Sequence, residues 1–283
     1  MNKVTDTFVL KNGVEIPCLG FGTWKIPDGE DVIKTVHTAI EMGYRHIDTA
    51  RAYRNEAGVG EAIRTCGIPR DQLFVTSKLH NSKHGYDLAK ECFETALESM
   101  GLDYLDMYLI HWPVPKPHQD DWREMLSQNW RLMEEMYEAG KIRAIGVCNC
   151  LPHHLEVIME HAKIMPMVDQ IEFHPGYVQE ETVEFCRKNG ILVEAWSPLA
   201  NGKVFESQVV KAIAEKYNRS ISQVCLRWVL QKGNLPLCKS MTPERIKENM
   251  NIFDFEISNE DMAALDTAAD VQDSGMYPDS IWF

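Results

Sequence analysis

Residues 88–111 read LAKECFETALESMGLDYLDMYLIH, and they contain the unit from which the chain is built. Leu88, Cys92, Phe93, Ala96, Leu97 and Met100 recur at spacings of three and four, so they line one face of a helix. Gly101 follows the last of them, where glycine accepts the left-handed backbone that ends a helix. The run Met107-Tyr108-Leu109-Ile110 is then apolar without alternation, as in a parallel strand covered on both faces. That strand closes on one ionisable residue, His111.

The pattern repeats outward in both directions. Strands are predicted at 19–23, 46–50, 73–79, 105–111, 144–149, 167–173, 192–197 and 235–239, with helical patterns at 32–42, 57–66, 88–100, 128–139, 155–162, 181–188 and 209–217. Gly43, Gly67, Gly140 and Gly190 close four more of these helices. Eight strands with helical segments between them match a (β/α)8 TIM barrel. An open doubly wound sheet is the competing architecture. No Pro/Gly/Ser-rich linker or charge block divides the chain, which favours one closed barrel over residues 1–283 as a single domain. Before the first barrel strand, Phe8-Val9-Leu10 and Val14-Glu15-Ile16 read as a β-hairpin turning at Asn12-Gly13. A short tail, residues 269–283, leaves the repeat and ends in Ile281-Trp282-Phe283.

Composition narrows the function classes. The formal charge of −13 argues against nucleic acid or an anionic membrane as the main partner. Any anionic cofactor must therefore meet a local basic patch. The eight cysteines lie mostly inside apolar runs, and only Cys148 and Cys150 stand close together. Without a second pair that spacing is a weak metal signal, and reduced core thiols of a cytoplasmic protein are expected. The N-terminus has no apolar leader, and no run reaches the ~18 apolar residues of a membrane span.

Barrel chemistry is done at the carboxyl ends of strands. Those ends here are Asp48, Lys78, His111, Cys148-Asn149, Gln170, Ser197 and Lys239-Ser240, with Tyr53 in the loop after the second strand. Singly, each has a plain structural use: a helix cap, a surface lysine, a core histidine, a packing aromatic. At successive ends of one barrel they form a catalytic constellation. A Lys78 ammonium near Tyr53 favours the phenolate and lowers its pKa from about 10. Asp48 keeps Lys78 charged and oriented, and a neutral His111 hydrogen-bonds and positions a carbonyl oxygen. Such a general acid suits an oxygen that turns negative as hydride reaches the carbonyl carbon.

At these residues the chain resembles the aldo-keto reductases. Gly43-Tyr44-Arg45-His46-Ile47-Asp48-Thr49-Ala50, with Tyr53, Asn55 and Glu56, matches the first family signature. Thr76-Ser77-Lys78-Leu79 and Leu109-Ile110-His111-Trp112-Pro113 match its lysine and histidine segments. Residues 141–149 match the second signature, and Lys239-Ser240 with Arg245-Ile246 and Glu248-Asn249 matches the nucleotide-phosphate segment. The resemblance implies a (β/α)8 barrel, NADPH (NADP+) as cofactor without a Rossmann domain, no metal, and a tetrad of Asp48, Tyr53, Lys78 and His111. It further implies that Asn149 and Gln170 hold the nicotinamide carboxamide, with Cys148 beside them, and that Trp196 stacks on the ring. By the same likeness Lys239, Ser240 and Arg245 meet the 2′-phosphate and Asn249 reaches the adenine. Thr23, Trp24, Asp48, Ser197 and Leu199 complete the cofactor contacts, and Trp24, Tyr53, His111 and Trp112 line the substrate pocket. Cys148 stands where serine is usual, which implies a weaker carboxamide hydrogen bond. Cys238 stands where proline is usual, which implies a looser turn before Lys239.

An apolar pocket with one polar end suits small carbonyl substrates: aldehydes, α-dicarbonyls and keto-sugars. The short loops most resemble the bacterial branch that includes 2,5-diketo-gluconate and methylglyoxal reductases. The chain is expected to act as a monomer. Two other classes remain in view. Potassium-channel β subunits resemble this family, which allows a cofactor-sensing regulatory subunit. A different barrel enzyme, such as a phosphate-binding isomerase or a metal-dependent hydrolase, is the third reading. The strand ends lack a His/Asp/Glu metal cluster, which counts against the hydrolase.

Overall fold

The computed structural model describes residues 1–282. Strands β1 (Thr7–Val9) and β2 (Glu15–Pro17) form an antiparallel pair with Val9 opposite Glu15. Of the expected Asn-Gly turn, only Gly13 takes a positive φ, at 83°. Asn12 acts through its side chain, whose Oδ1 accepts from the Val14 amide at 3.1 Å while its amide donates to the Arg143 carbonyl at 2.8 Å.

The eight barrel strands are β3 (Gly20–Gly22), β4 (His46–Asp48), β5 (Phe74–Leu79), β6 (Leu105–Ile110), β7 (Ile142–Cys148), β8 (Val168–Glu172), β9 (Leu192–Trp196) and β10 (Leu235–Cys238). All neighbours are parallel, and β10 pairs with both β9 and β3, which closes the barrel. The predicted barrel and hairpin are both present. Around the sheet run α1 (Glu30–Met42), α2 (Glu56–Thr65), α3 (Tyr86–Met100), α4 (Trp122–Glu138), α5 (Pro152–His161), α6 (Glu180–Lys188), α7 (Gln208–Tyr217), α8 (Ile221–Gln231), α9 (Pro243–Met250) and α10 (Asn259–Asp266). Helix α3 ends as its sequence requires: Gly101 has φ 62° and its amide returns to the Leu97 and Glu98 carbonyls. The chain has no helical expectation at α8, and the structure gives the reason. Every residue from Val224 to Leu230 is buried, so no polar stripe marks a period.

Gln170 on β8 hydrogen-bonds Asp48 on β4, two strands that are not neighbours, so this contact crosses the barrel interior. His46 and Asp48 on β4, Thr76 and Lys78 on β5, and Glu194 on β9 are buried with it. Barrels of this type are ordinarily filled by bulky branched residues. Here the centre is polar and knitted by hydrogen bonds.

The tail is pinned rather than loose. The Ser274 amide and hydroxyl donate to buried Glu172 at 3.0 and 2.7 Å, and Asp279 lies 2.8 and 2.9 Å from the Nε2 atoms of His153 and His154. Trp282 is largely exposed, and Phe283 lies outside the described residues. All eight cysteines are free thiols, seven of them buried. Among the described residues no helix is long and apolar enough to cross a membrane.

Candidate active site

Asp48 ends β4, and its main chain is fixed by Thr23, whose amide and hydroxyl both donate to the Asp48 carbonyl at 3.0 Å. The Thr23 side chain is thus spent on the strand end. The loop after β4 turns sharply: Arg54 sits in the left-handed region at φ 58°. Buried Asn55 holds this loop, its amide donating to the Thr23 and Ile26 carbonyls at 2.9 Å and its oxygen accepting from the Thr49 hydroxyl at 2.9 Å. Together these bonds place the Tyr53 ring over the barrel mouth.

Beneath Tyr53 lies Lys78, with no solvent exposure. Its Nζ donates to both Asp48 oxygens at 2.7 and 2.6 Å and to the Thr49 carbonyl at 2.9 Å, and stands 3.4 Å from the Tyr53 hydroxyl. The His111 ring packs edge-on against Tyr53, centroids 5.8 Å apart. The four residues expected to act together are therefore brought together.

Their protonation follows from burial and charge. Burial pulls Lys78 down, but the Asp48 carboxylate outweighs it and holds the ammonium well above its usual range. Burial, reinforced by Lys78, pushes His111 well below its usual range, so the imidazole is neutral at pH 7. For Tyr53 burial is again the largest effect and raises the phenol; Lys78 acts in the expected lowering direction and does not overcome it. The expectation of a net lowered phenol is thereby corrected. The hydroxyl keeps its proton until something else accepts it.

A shelf for a planar ring adjoins this group. The Trp196 indole donates to Asn149 Oδ1 at 2.7 Å, and Asn149 Nδ2 donates to the His111 carbonyl at 2.9 Å. Trp196 is half-buried and held in one orientation. Asn149 and Ser197 both adopt left-handed backbone, at φ 58° and 52°, and such non-glycine strain gathers at functional loops. Gln170 spends both amide protons, on Asp48 Oδ2 at 3.0 Å and on Glu194 Oε2 at 2.6 Å, which leaves its carbonyl oxygen for a ligand. Cys148 is buried, and burial holds it as a neutral thiol. Leu199 is half-buried in the loop after β9.

At the end of β10, Lys239 and Arg245 are exposed, while Ser240 and Asn249 are buried. Partial burial of its ammonium, and then the charge of Lys25, lower Lys239. Lys25, which carries no expectation from sequence, also lies over the Trp24 ring at 4.2 Å. Cys238 is not loose: its Sγ lies 3.0 Å from the Tyr44 hydroxyl and 3.6 Å from the Gly20 carbonyl. Trp24 is exposed, whereas Trp112 is 4% exposed and offers little surface to a substrate. The one group with metal-like donor spacing among the described residues is His153, His154 and Asp279, on α5 and the tail. His154 Nδ1 accepts from the Leu151 amide at 3.0 Å, so in the neutral ring its Nε2 carries the proton and cannot ligate.

Sequence reading passed over Glu194 and His46, both fully buried in the barrel. Glu194 had a signal, an ionisable residue inside a strand that is otherwise apolar, whereas His46 shares the three-residue β4 with Asp48 and stands out less.

Residues 18–270 match the Aldo/keto reductase family. The chain is 46% identical to glyoxal reductase of Bacillus subtilis over 278 residues, 98% of each chain. It is 38% identical to methylglyoxal reductase of Escherichia coli over 258 residues, 90% of each chain. A crystal structure of Bombyx mori aldo-keto reductase in complex with NADP superposes with a TM-score of 0.86 at 32% identity, over 97% of this chain and 98% of that one. The matched segment contains the closed barrel and the cluster of Asp48, Tyr53, Lys78 and His111. The chain belongs to the aldo/keto reductase family.

Proposed function

We propose that this protein reduces small aldehydes and ketones with NADPH, and that Tyr53 is the proton donor. The observation that carries the reading is the Lys78 ammonium, gripped by both Asp48 oxygens and 3.4 Å from the Tyr53 hydroxyl. NADPH, when bound, supplies the hydride. Tyr53 gives its proton to the carbonyl oxygen as that oxygen gains charge, and the phenolate left behind faces a fixed ammonium. Solvent then restores the phenol. His111, neutral, donates a hydrogen bond that orients the carbonyl without adding a second charge beside Lys78.

The residues present fit the cofactor. Asn149 and the Gln170 carbonyl oxygen would hold the carboxamide, and Trp196 would offer its face to the ring. Lys239, Ser240 and Arg245 would take the 2′-phosphate, with Asn249 at the adenine. Trp24 would line the substrate side. The likeness to a glyoxal reductase and a methylglyoxal reductase supports α-dicarbonyls as the preferred class. The reading also takes residues 1–283 as one domain acting as a cytoplasmic monomer.

The test is loss of NADPH absorbance with glyoxal, methylglyoxal, a keto-sugar and an aromatic aldehyde. Wild type turns over at least the first two, and Tyr53→Phe does not. Equal rates for both proteins would remove Tyr53 from the reaction.

A further inference from the structure

Below the Asp48–Lys78 pair the barrel holds a second carboxyl. Glu194 has no solvent exposure, and its Oε2 accepts from Gln170 Nε2 at 2.6 Å. Its Oε1 faces His46 Nδ1 at 3.5 Å, and neither atom has a hydrogen-bond partner. On its other side His46 Nε2 meets the Thr76 hydroxyl at 3.1 Å. Gln170 joins the two carboxyls, because the same Nε2 lies 3.0 Å from Asp48 Oδ2. The charged and titratable groups around Glu194 are Asp48 and His46 on β4, Lys78 on β5 and Cys148 on β7, which burial holds as a neutral thiol. Strand β8 contributes only the Gln170 amide, and β10 pairs through uncharged Leu235 and Pro236.

We propose that Glu194 is a positioning residue that works as a neutral carboxylic acid, holding Asp48 and Lys78 beneath Tyr53 through Gln170. A proton on Oε1 pointing at His46 Nδ1 gives both orphaned atoms a partner, with His46 donating in turn to Thr76. One ammonium then balances one carboxylate in a space closed to solvent. Burial, and after it the Asp48 carboxylate, pushes Glu194 up to about 8, while burial and Lys78 push His46 down to about 3. The His46–Glu194 contact is thus between neutral groups. If Glu194 ionises, two carboxylates share one ammonium, and the added negative charge disfavours a phenolate at Tyr53. The kinetic part of this inference rests on Tyr53 as proton donor; the protonation of Glu194 does not.

Three measurements on the full chain separate the two. Infrared difference spectra at pH 7, wild type minus Glu194→Gln, show a protonated-carboxyl band; the subtraction removes Asp169, a second carboxyl that burial raises. Absence of the band overturns the proposal. Urea titrations give a second readout independent of turnover. A carboxyl held protonated in the fold loses stability as pH rises from its unfolded value, about 4.3, to its folded one. The unfolding constant of wild type relative to Glu194→Gln therefore rises about tenfold per pH unit between pH 5 and 8. A ratio independent of pH refutes it. In turnover, wild type declines above about pH 8 through one ionisation, the decline is missing in Glu194→Gln, and Glu194→Leu falls ~10- to 100-fold below Glu194→Gln. An alkaline decline that survives in Glu194→Gln defeats the positioning role. If wild type reduces no carbonyl, the proposed function fails, while the infrared and urea results still decide the state of Glu194.

Discussion

Replacing Lys78 with methionine roughly keeps the length of the side chain and removes an ammonium that Asp48 contacts at 2.7 and 2.6 Å. Asp48 then keeps one hydrogen bond, from Gln170 at 3.0 Å. Stranding one partner of a buried pair costs about 3–5 kcal/mol. The carboxylate has an escape, since it can take up a proton. That costs about 1.4 kcal/mol for each pH unit above its unfolded value of about 3.9, so the penalty is capped near ~5.6 kcal/mol at pH 8 and ~1.5 kcal/mol at pH 5. Because that cap grows with pH, the variant loses stability relative to wild type as pH rises from about 4. Lys78→Met is therefore destabilised by ~3–5 kcal/mol at pH 8 and by less than ~2 kcal/mol at pH 5. Urea unfolding of wild type and variant at both pH values measures this. Asp48→Asn combined with Lys78→Met removes the stranded charge and is more stable than Lys78→Met alone at pH 8. A loss that is equal at the two pH values, or a double variant no better than the single one, would refute the buried pair as the source.

Tyr53→Phe lowers kcat by ~10²–10⁴-fold while NADPH binding, followed by tryptophan fluorescence, is retained. Arg245→Ala weakens NADPH ~10- to 100-fold and leaves NADH nearly unchanged, because a charge-assisted contact to the 2′-phosphate is worth about 1.5–3 kcal/mol; dissociation constants for both nucleotides check it. Dialysis against EDTA leaves carbonyl reduction intact, and restoration of a chelated enzyme by Zn²⁺ would refute the metal-free reaction.

The strands were legible where both faces are covered and the apolar run is unbroken, as at Met107–Ile110 on β6. While α9 and α10, at eight residues each, are too short to show a period, helices α1 to α7, with one wet face, were legible for the opposite reason. Helix α8 was not, since burial all round leaves no period to detect, and α4 begins at Trp122, six residues before its apolar spacing becomes regular at Gln128. Among site residues, Asp48, Tyr53, Lys78 and His111 could be placed because each ends a strand or follows one. What Gln170 touches could not be foreseen. Its partners Asp48 and Glu194 lie 122 and 24 positions away and meet it only when the barrel closes. The contact of Cys238 was equally hidden, since its thiol meets the Tyr44 hydroxyl across 194 positions. The balance of burial against Lys78 at Tyr53 likewise depends on depth, which no spacing records.

The polar centre of the barrel limits how this protein could be made hardier. In a barrel filled with valine, isoleucine and leucine, an engineer can trade methyl groups inside without touching the chemistry at the rim. Here His46, Asp48, Thr76, Lys78, Gln170 and Glu194 both fill the space and set the charges under Tyr53. On the proposed mechanism, an exchange among them alters heat resistance and turnover together. A search for robust variants is better aimed at the outer ring, where the exposed faces of α3, α4 and α6 can be rewritten at no cost to the reaction.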